Sequence, residues 1–143
     1  MATYTRLTKE IVSGLLSNYE VGELIQFSIM DGGAANSSCI VTTSKGRFVL
    51  SVCDEKNILE LQQLTKLLGY LNSYDFFTSR LVDVQGGGGY CLLGDKPVYL
   101  KEYIDGEMGG LPSSKKVEQV GEALATLHNI PAPDFLQDVF SYG

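Results

Sequence analysis

The sequence predicts an α+β fold: an antiparallel β-sheet of about five strands, with helices before, within and after it. Three observations lead to this prediction. Strand-like segments follow one another through short turns, which indicates antiparallel hairpins. Three longer segments carry apolar residues at helical spacing. Strands and helices do not alternate regularly along the chain, which argues against a parallel, doubly wound sheet.

The first half of the chain is predicted to contain one helix and three strands. The helix begins at Thr8, whose hydroxyl can cap it, and its apolar residues recur every three or four positions. The strands are apolar and β-prone, and Gly, Asn and Ser mark the loop between the first two. In order, these elements are the helix Thr8–Tyr19, the strand Leu24–Met30, the loop Asp31–Ser38 and the strands Cys39–Thr43 and Phe48–Cys53.

The second half is predicted to contain a helix, three further strands and a last helix. Leucines at helical intervals give the helix over Lys56–Leu71 one apolar face. The three strands are Leu81–Gln85 and Tyr90–Leu93, on either side of four consecutive glycines, and then Val98–Ile104.

The last helix is predicted over Ser113–Asn129, after the glycine-rich connection Gly106–Pro112. A serine at its start can accept a hydrogen bond from a backbone amide of the first turn. Its apolar residues are expected to face inward; they are Val117, Val120, Leu124 and Leu127.

Composition limits the classes of function. The chain has 143 residues, of which 44% are hydrophobic, so it can form one domain with a core. Its net charge of −6 argues against nucleic acid or an anionic membrane as the main partner. No apolar run is long enough to cross a bilayer and no signal peptide is evident, so we expect a cytoplasmic protein. Three widely spaced cysteines and a single histidine make a zinc site improbable.

Three segments carry a likeness to a known family. They are "GGAANSSCIVTTSKGRFVLSV", "LLGDKPVYLKEYIDGE" and "VEQVGEALATLHNIPAPDF". In this order and spacing, they resemble the N-terminal lobe of the protein-kinase-like fold. In detail, the chain is similar to the aminoglycoside phosphotransferase and choline kinase superfamily, and within it to the bacterial homoserine kinase type II branch. The resemblance implies an ATP-binding half over residues 1–105, with a helix like αC of kinases. Residues 106–143 would be the hinge connection and the first helix leading to an absent C-terminal lobe.

The resemblance assigns adenine recognition to the segment around Glu102. In this fold, a backbone carbonyl and a backbone amide bind the purine edge, and they would belong to Glu102 and Ile104. Val49 would lie against the face of the ring. On its residues alone, Val98–Ile104 also fits a core strand that ends at a turn.

The loop "DGGAANSS" occupies the place of the loop that covers the nucleotide phosphates in kinases. Gly32 and Gly33 would let the backbone approach phosphate oxygens without a Cβ atom in the way. Asn36 and Ser37 would add neutral hydrogen-bond donors. The loop is not a Walker A sequence, because it lacks the Lys-Ser/Thr pair and precedes a strand. By itself it equally suits an ordinary hairpin loop.

The third strand departs from the pattern of many kinases, which place a lysine there to hold the phosphates. This chain has Ser51 at that position, and homoserine-kinase-like relatives often have a small hydroxyl residue there too. Glu60 stands in the place of the helix carboxylate that pairs with that lysine, and it lacks an obvious partner. Lys101, on a strand beside the expected cleft, is another candidate for contact with phosphate.

The resemblance implies that the parent protein is an ATP-dependent phosphotransferase that uses Mg²⁺ and phosphorylates the hydroxyl of homoserine or a similar amino alcohol. Its catalytic and metal-binding Asp and Asn residues would lie in the C-terminal lobe, so this chain alone is expected to be inactive. No catalytic or metal-ligating residue is assigned within it.

Two alternatives remain open from the sequence. The chain could be a non-catalytic kinase-like binding or regulatory module, as the missing strand lysine suggests. It could also be an unrelated antiparallel α+β interaction domain. If it is a lobe, the surface that faces the C-terminal lobe is exposed, and self-association through that surface is expected.

Overall fold

The computed structural model describes residues 4–31, 36–55, 57–107 and 110–136. It contains a five-stranded antiparallel sheet in the order β1-β2-β3-β5-β4, so the α+β prediction is confirmed. The helices are α1 (Lys9–Leu16), α2 (Ile58–Ser73) and α3 (Ser114–His128), and a short 3₁₀ helix spans Asp134–Leu136. The strands are β1 (Leu24–Met30), β2 (Asn36–Thr43), β3 (Gly46–Cys53), β4 (Cys91–Leu93) and β5 (Lys96–Glu102).

One face of the sheet packs on α1 and holds the larger core. Val12, Leu15 and Leu16 of α1 are buried against alternate residues of the central strands, which place every second side chain on this face. We call it the α1 face. Its buried strand residues are Cys39, Val41, Leu50, Val52, Val98 and Leu100.

The opposite face packs on α2 and is called the α2 face. Leu61 of α2 is fully buried in a small cluster with Cys53 and Tyr99. The helix begins at a capping box, in which Asn57 accepts from the Glu60 amide and the Glu60 carboxylate accepts from the Asn57 amide. This cap fixes the start of α2, so that Leu61, the residue after Glu60, packs against the sheet.

The predicted strand Leu81–Gln85 is wrong. The structure has only two isolated bridges there, between Leu81 and Lys101 and between Tyr19 and Val84. The Val84 amide donates to the Gly88 carbonyl, because three of the four glycines take positive φ and fold the chain into a tight turn. The backbone amides and carbonyls of this segment therefore form the turn and isolated bridges, and the described segment makes no continuous β-ladder.

Other boundaries differ by a few residues. Helix α1 ends at Leu16 and β5 at Glu102, both earlier than predicted. Residues 36–38, predicted as part of a loop, pair with β3 and extend β2, because three polar residues can continue a strand when a neighbour supplies its hydrogen bonds.

The apolar residues of α3 were predicted to face inward, and this is wrong for three of the four, whereas Leu127 is half-buried beside α2. Val117, Val120 and Leu124 are 58%, 59% and 48% exposed. Helical periodicity identifies an apolar face but does not say which surface covers it. The segment after α3 does contact the domain, since the Tyr70 hydroxyl of α2 donates to the Pro131 carbonyl at 2.7 Å. None of the described helices combines the length and the apolar character that crossing a membrane requires.

Candidate functional site

The α2 face carries a chain of hydrogen-bonded polar side chains where β2, β3 and β5 lie side by side. The in-register pairs Ser38–Ser51 and Ser51–Tyr99 place three of these side chains together on that face. The Ser38 and Ser51 hydroxyls are 2.8 Å apart. Ser51 also hydrogen-bonds the Tyr99 hydroxyl, which accepts from Asn36 Nδ2 at 3.4 Å. Ser51, which the resemblance predicts to stand where many kinases have a lysine, is thus a buried hydroxyl with two partners.

Asn36 has one buried atom that its neighbours leave without a partner. Its Oδ1 makes no hydrogen bond within the described ranges, although its Nδ2 is bonded to Tyr99. An unpaired buried acceptor costs about 1–3 kcal/mol. Asn36 therefore needs a donor from a ligand or from a residue outside the described ranges, which fits its predicted place next to a bound group.

Tyr99 was not singled out from the sequence. Burial raises the pKa of its hydroxyl, although hydrogen bonds from Ser51 and Asn36 lower it in part. The hydroxyl therefore stays neutral and serves as the link between β2 and β5. The alternation of side chains along "PVYLKE" could have placed Tyr99 opposite Ser51, but only once the register between β3 and β5 was known.

Ser37 lies on the α1 face, away from the other predicted site residues. Its hydroxyl donates to the Asp54 carboxylate at 2.6 Å and accepts from the Thr5 amide at 2.9 Å. The same carboxylate accepts from Lys96 Nζ at 2.7 Å and from the Thr5 hydroxyl at 2.8 Å. These four residues, Thr5, Ser37, Asp54 and Lys96, are called the Asp54 network.

The Asp54 network ties the N-terminal segment to the start of β2. The Asp54 side chain has no exposed surface, and burial acts to raise its pKa. Hydrogen bonds from Lys96, Ser37 and Thr5 outweigh that effect and hold the pKa below its usual range. This network was not predictable from local sequence patterns, because its members are separated by 17 to 91 positions along the chain.

The predicted hinge leaves the sheet at the end of β5. The Tyr103 amide donates to the Arg47 carbonyl, so Phe48 and Glu102 form the neighbouring non-hydrogen-bonded pair. The Glu102 amide points to the other side and donates to the Arg80 carbonyl at 2.9 Å. Ile104 follows outside the strand, with 47% of its side chain exposed.

Val49 and Lys101 form a cross-strand pair on the α2 face, directly beside the hinge. Val49 is 8% exposed and the Lys101 side chain is half-buried. Val49, which is predicted to lie against the adenine ring, thus shares a face with Ser51 and lies next to the predicted hinge residues. Val49, Glu102 and Ile104 lie together at the hinge end of the sheet. Ser51 lies two residues further along β3, and Asn36, which pairs with Cys53, lies at the opposite end of the α2 face.

Glu60 is exposed and its carboxylate forms the helix cap described above. Leu61, and not Glu60, is the residue of the first turn that contacts the sheet. A role for Glu60 in the site stays a prediction. Gly32 and Gly33 lie outside the described residues.

Two clefts border the predicted nucleotide site. One, of about 270 Å³, is lined by the hinge and by Phe77, Thr78 and Arg80. The other, of about 260 Å³, lies on the α2 face over β1 and β2 and includes Ile40 and Arg47. Both are smaller than the 300–1,000 Å³ typical of small-molecule sites, as expected for one wall of a site. Among the residues that the structure describes, no three His, Cys, Asp or Glu side chains converge on a metal position.

Comparison with known sequences identifies relatives. The sequence model of the phosphotransferase enzyme family matches residues 26–140. The chain is 30% identical over 129 residues to a homoserine kinase of Hyphomonas neptunium, covering 90% of this chain and 39% of that protein. It is 29% identical over 135 residues to a homoserine kinase of Neisseria meningitidis serogroup B, covering 94% and 44%. The chain thus spans roughly two fifths of the length of the curated relatives it matches.

Solved structures share the fold. A spectinomycin phosphotransferase, determined with ADP and spectinomycin, matches with a TM-score of 0.78 at 11% identity, over 94% of this chain and 42% of that one. An aminoglycoside phosphotransferase from Alicyclobacillus acidocaldarius matches with a TM-score of 0.69 at 20% identity, over 88% and 36%. The sheet and its helices are therefore a kinase-like N-terminal lobe. With the family match over residues 26–140, these comparisons show that the chain belongs to the phosphotransferase enzyme family.

Proposed function

We propose that the chain is the nucleotide-binding lobe of an ATP-dependent small-molecule phosphotransferase. The observation that carries this proposal is the end of β5, where the backbone of Glu102 to Ile104 follows Lys101, the cross-strand partner of Val49 on the α2 face. The Glu102 carbonyl would accept from the adenine amino group, and the Ile104 amide would donate to a ring nitrogen. Val49 would contact the face of the purine.

The phosphates would extend from the hinge towards the start of β2. Asn36, with its unpaired buried oxygen, lies at that end of the α2 face, and the loop with Gly32 and Gly33 precedes it in the chain. Ser51 would support this end of the site indirectly, through its contacts with Ser38 and Tyr99. Ser37 would hold the end of the loop in place through the Asp54 network. Glu60 would contribute to the site mainly by fixing the start of α2, since its carboxylate caps that helix.

We propose that the parent protein phosphorylates the hydroxyl of homoserine or a similar amino alcohol in the cytoplasm. The two relatives with about 30% sequence identity are homoserine kinases, and this supports the proposed acceptor. Mg²⁺ would accompany ATP, and its carboxylate ligands and the catalytic base would come from a C-terminal lobe that follows residues 106–143. The chain alone would then bind nucleotide but transfer no phosphate.

Calorimetric titration with ADP and adenosine, together with an assay of L-homoserine phosphorylation, tests the proposal. We expect weak binding of both nucleotides and no turnover by the chain alone. An excess of guanosine serves as the matched control, because its purine edge presents a different pattern of donors and acceptors. Equal affinity for guanosine and adenosine would contradict recognition by the hinge, and measurable turnover would contradict the assignment as an inactive lobe.

A non-catalytic binding or regulatory module is the second candidate function, and Ser51 favours it. A buried hydroxyl with two protein partners replaces the cation that many kinases use for phosphate. An assay of the parent protein with MgATP and an amino alcohol distinguishes the two functions. A kinase would phosphorylate the amino alcohol, whereas a binding module would bind the nucleotide without consuming it.

We also propose that the exposed apolar face of α3 associates with a second copy of the chain. Val117, Val120 and Leu124 form a stripe without charge, and nothing lies within 4 Å of a Cβ atom added at Gly121 beside it. In a dimer with a two-fold axis, this face would pack against the same face of the second copy.

A further inference from the structure

We propose that Lys101 of β5 supplies the positive charge for the nucleotide phosphates that β3 lacks. This inference rests on the proposed function, and it names a residue of the same site. It explains how a lobe with a serine at the position of the usual lysine could still bind a polyanion.

Ser51 cannot take over the role of a lysine. Its side chain is 2% exposed, and its hydroxyl is engaged by Ser38 and Tyr99. A neutral hydroxyl held in this way donates at most one hydrogen bond and carries no charge. The phosphate end of the site therefore needs a cation from another strand.

The register of β3 and β5 places Lys101 on the required face. Lys101 pairs with Val49 and Tyr99 pairs with Ser51, so Lys101 and Ser51 are diagonal neighbours on the α2 face. Diagonal neighbours of this kind are about 7–8 Å apart, a distance that a long side chain can span. An ammonium on Lys101 can thus reach the space that a lysine at position 51 would serve.

The other cations of the sheet that the structure describes are held elsewhere. The Arg47 guanidinium is on the α2 face but stacks 4.3 Å from the centre of the Tyr103 ring, at the hinge end and four residues from Ser51 along β3. Lys96 lies on the α1 face and is bonded to Asp54. Lys45 Nζ donates to the Glu20 carbonyl. Within residues 4–31, 36–55, 57–107 and 110–136, no carboxylate lies within 4.0 Å of Lys101 Nζ.

Direct labelling tests which lysine lies near the phosphates. In an acyl-phosphate derivative of ATP, a lysine amine attacks the acyl carbon, an amide forms, and ATP leaves as the displaced phosphate. Mass spectrometry of the labelled chain should locate the acyl group mainly on Lys101, and excess ADP should suppress it. The exposed Lys66 is the matched control, because its slow labelling should not respond to ADP.

Affinity measurements on variants test the charge itself. Lys101→Met should weaken ADP binding about tenfold while adenosine binding stays unchanged, because a lysine recognises phosphate as a point charge. Lys101→Arg should restore part of the ADP affinity, and Lys66→Met should change neither. Thermal unfolding of each variant shows whether the fold is kept.

The outcomes separate this inference from the proposed function. ADP-sensitive labelling of a different lysine, or an equal loss of ADP and adenosine binding in Lys101→Met, would overturn the role of Lys101 alone. Failure of the unaltered chain to bind either nucleotide would overturn the proposed function, and the inference with it.

Discussion

The Ser51 hydroxyl lies 2.8 Å from the Ser38 hydroxyl across the β2–β3 pair. Through Tyr99 this contact extends to Asn36, so one hydrogen-bonded chain joins three strands of the sheet. Ser51, which we predict to stand where many kinases have a phosphate-binding lysine, thus helps to fix the register of the sheet. Any charge for the phosphates must come from a neighbouring residue, which is the basis of the role proposed for Lys101.

Ser51→Ala is expected to destabilise the chain by about 1 kcal/mol, because the change leaves Ser38 and Tyr99 without a shared buried partner. Urea unfolding followed by circular dichroism measures the change. Ser28→Ala, at an exposed position on the same face, should alter the free energy of unfolding by less than about 0.5 kcal/mol. Unchanged stability of Ser51→Ala would contradict the structural role of this hydroxyl.

Asp54→Asn is expected to reduce the free energy of unfolding by about 2 kcal/mol at neutral pH, since it removes the charge that Lys96 and Ser37 contact. The pKa of Asp54 is lowered in the folded state, so its contribution is present above the unfolded pKa of about 3.9 and is lost as pH falls through the folded value.

The difference in stability between Asp54→Asn and the unaltered chain should therefore shrink below about pH 4. Denaturant unfolding at pH 7 and pH 3 measures it. The exposed Asp83→Asn is the control and should show little difference at either pH. A constant difference across this range would argue against the ion pair as the source of the stability.

Gly89→Ala is expected to destabilise the packing of α2 by about 1–3 kcal/mol, because the added Cβ atom would clash with Thr65 Cγ2. Thr65 cannot rotate freely, since its hydroxyl donates to the Leu61 carbonyl at 2.7 Å. Adding Thr65→Ser removes the methyl group and keeps the hydroxyl, so the double variant should recover much of the loss. Gly14→Ala, with nothing within 4 Å of the added atom, should be neutral or stabilising. Strictly additive losses in the double variant would contradict a direct clash.

Leu124→Glu should keep the chain monomeric at concentrations where the unaltered chain associates, because it places a charge within the apolar stripe of α3. Sedimentation velocity over a range of concentrations measures this. Glu122→Gln, outside the stripe, is the control and should leave association unchanged. A monomeric unaltered chain at high concentration would contradict self-association through this face.

The sequence predicted the sheet well, because the signals of β1, β2 and β3 are local. Each is a short β-prone segment bounded by turn residues, and the structure has all three. The segment over residues 81–85 carries the same kind of signal, but its backbone partners are a turn and two isolated bridges. Those partners depend on the tertiary arrangement, which a local pattern cannot contain.

The site was predictable only in part, for a related reason. Glu102 and Ile104 could be assigned from a contiguous segment that resembles a known hinge. The separation of Ser37 from Asn36 onto opposite faces follows from the pairing of β2 with β3, and the network around Asp54 joins distant parts of the chain. Contacts of this kind require the register of the sheet, which composition and spacing do not provide.

Titration of the ¹⁵N-labelled chain with adenosine tests the central claim most directly. If the end of β5 binds adenine, the backbone amide of Ile104 should show one of the largest chemical-shift changes, with further changes at Val49 and Tyr103. The amides of α1, on the opposite face of the sheet, should remain unchanged. Saturable changes confined to the α1 face, or none at Ile104 under saturating adenosine, would contradict the account.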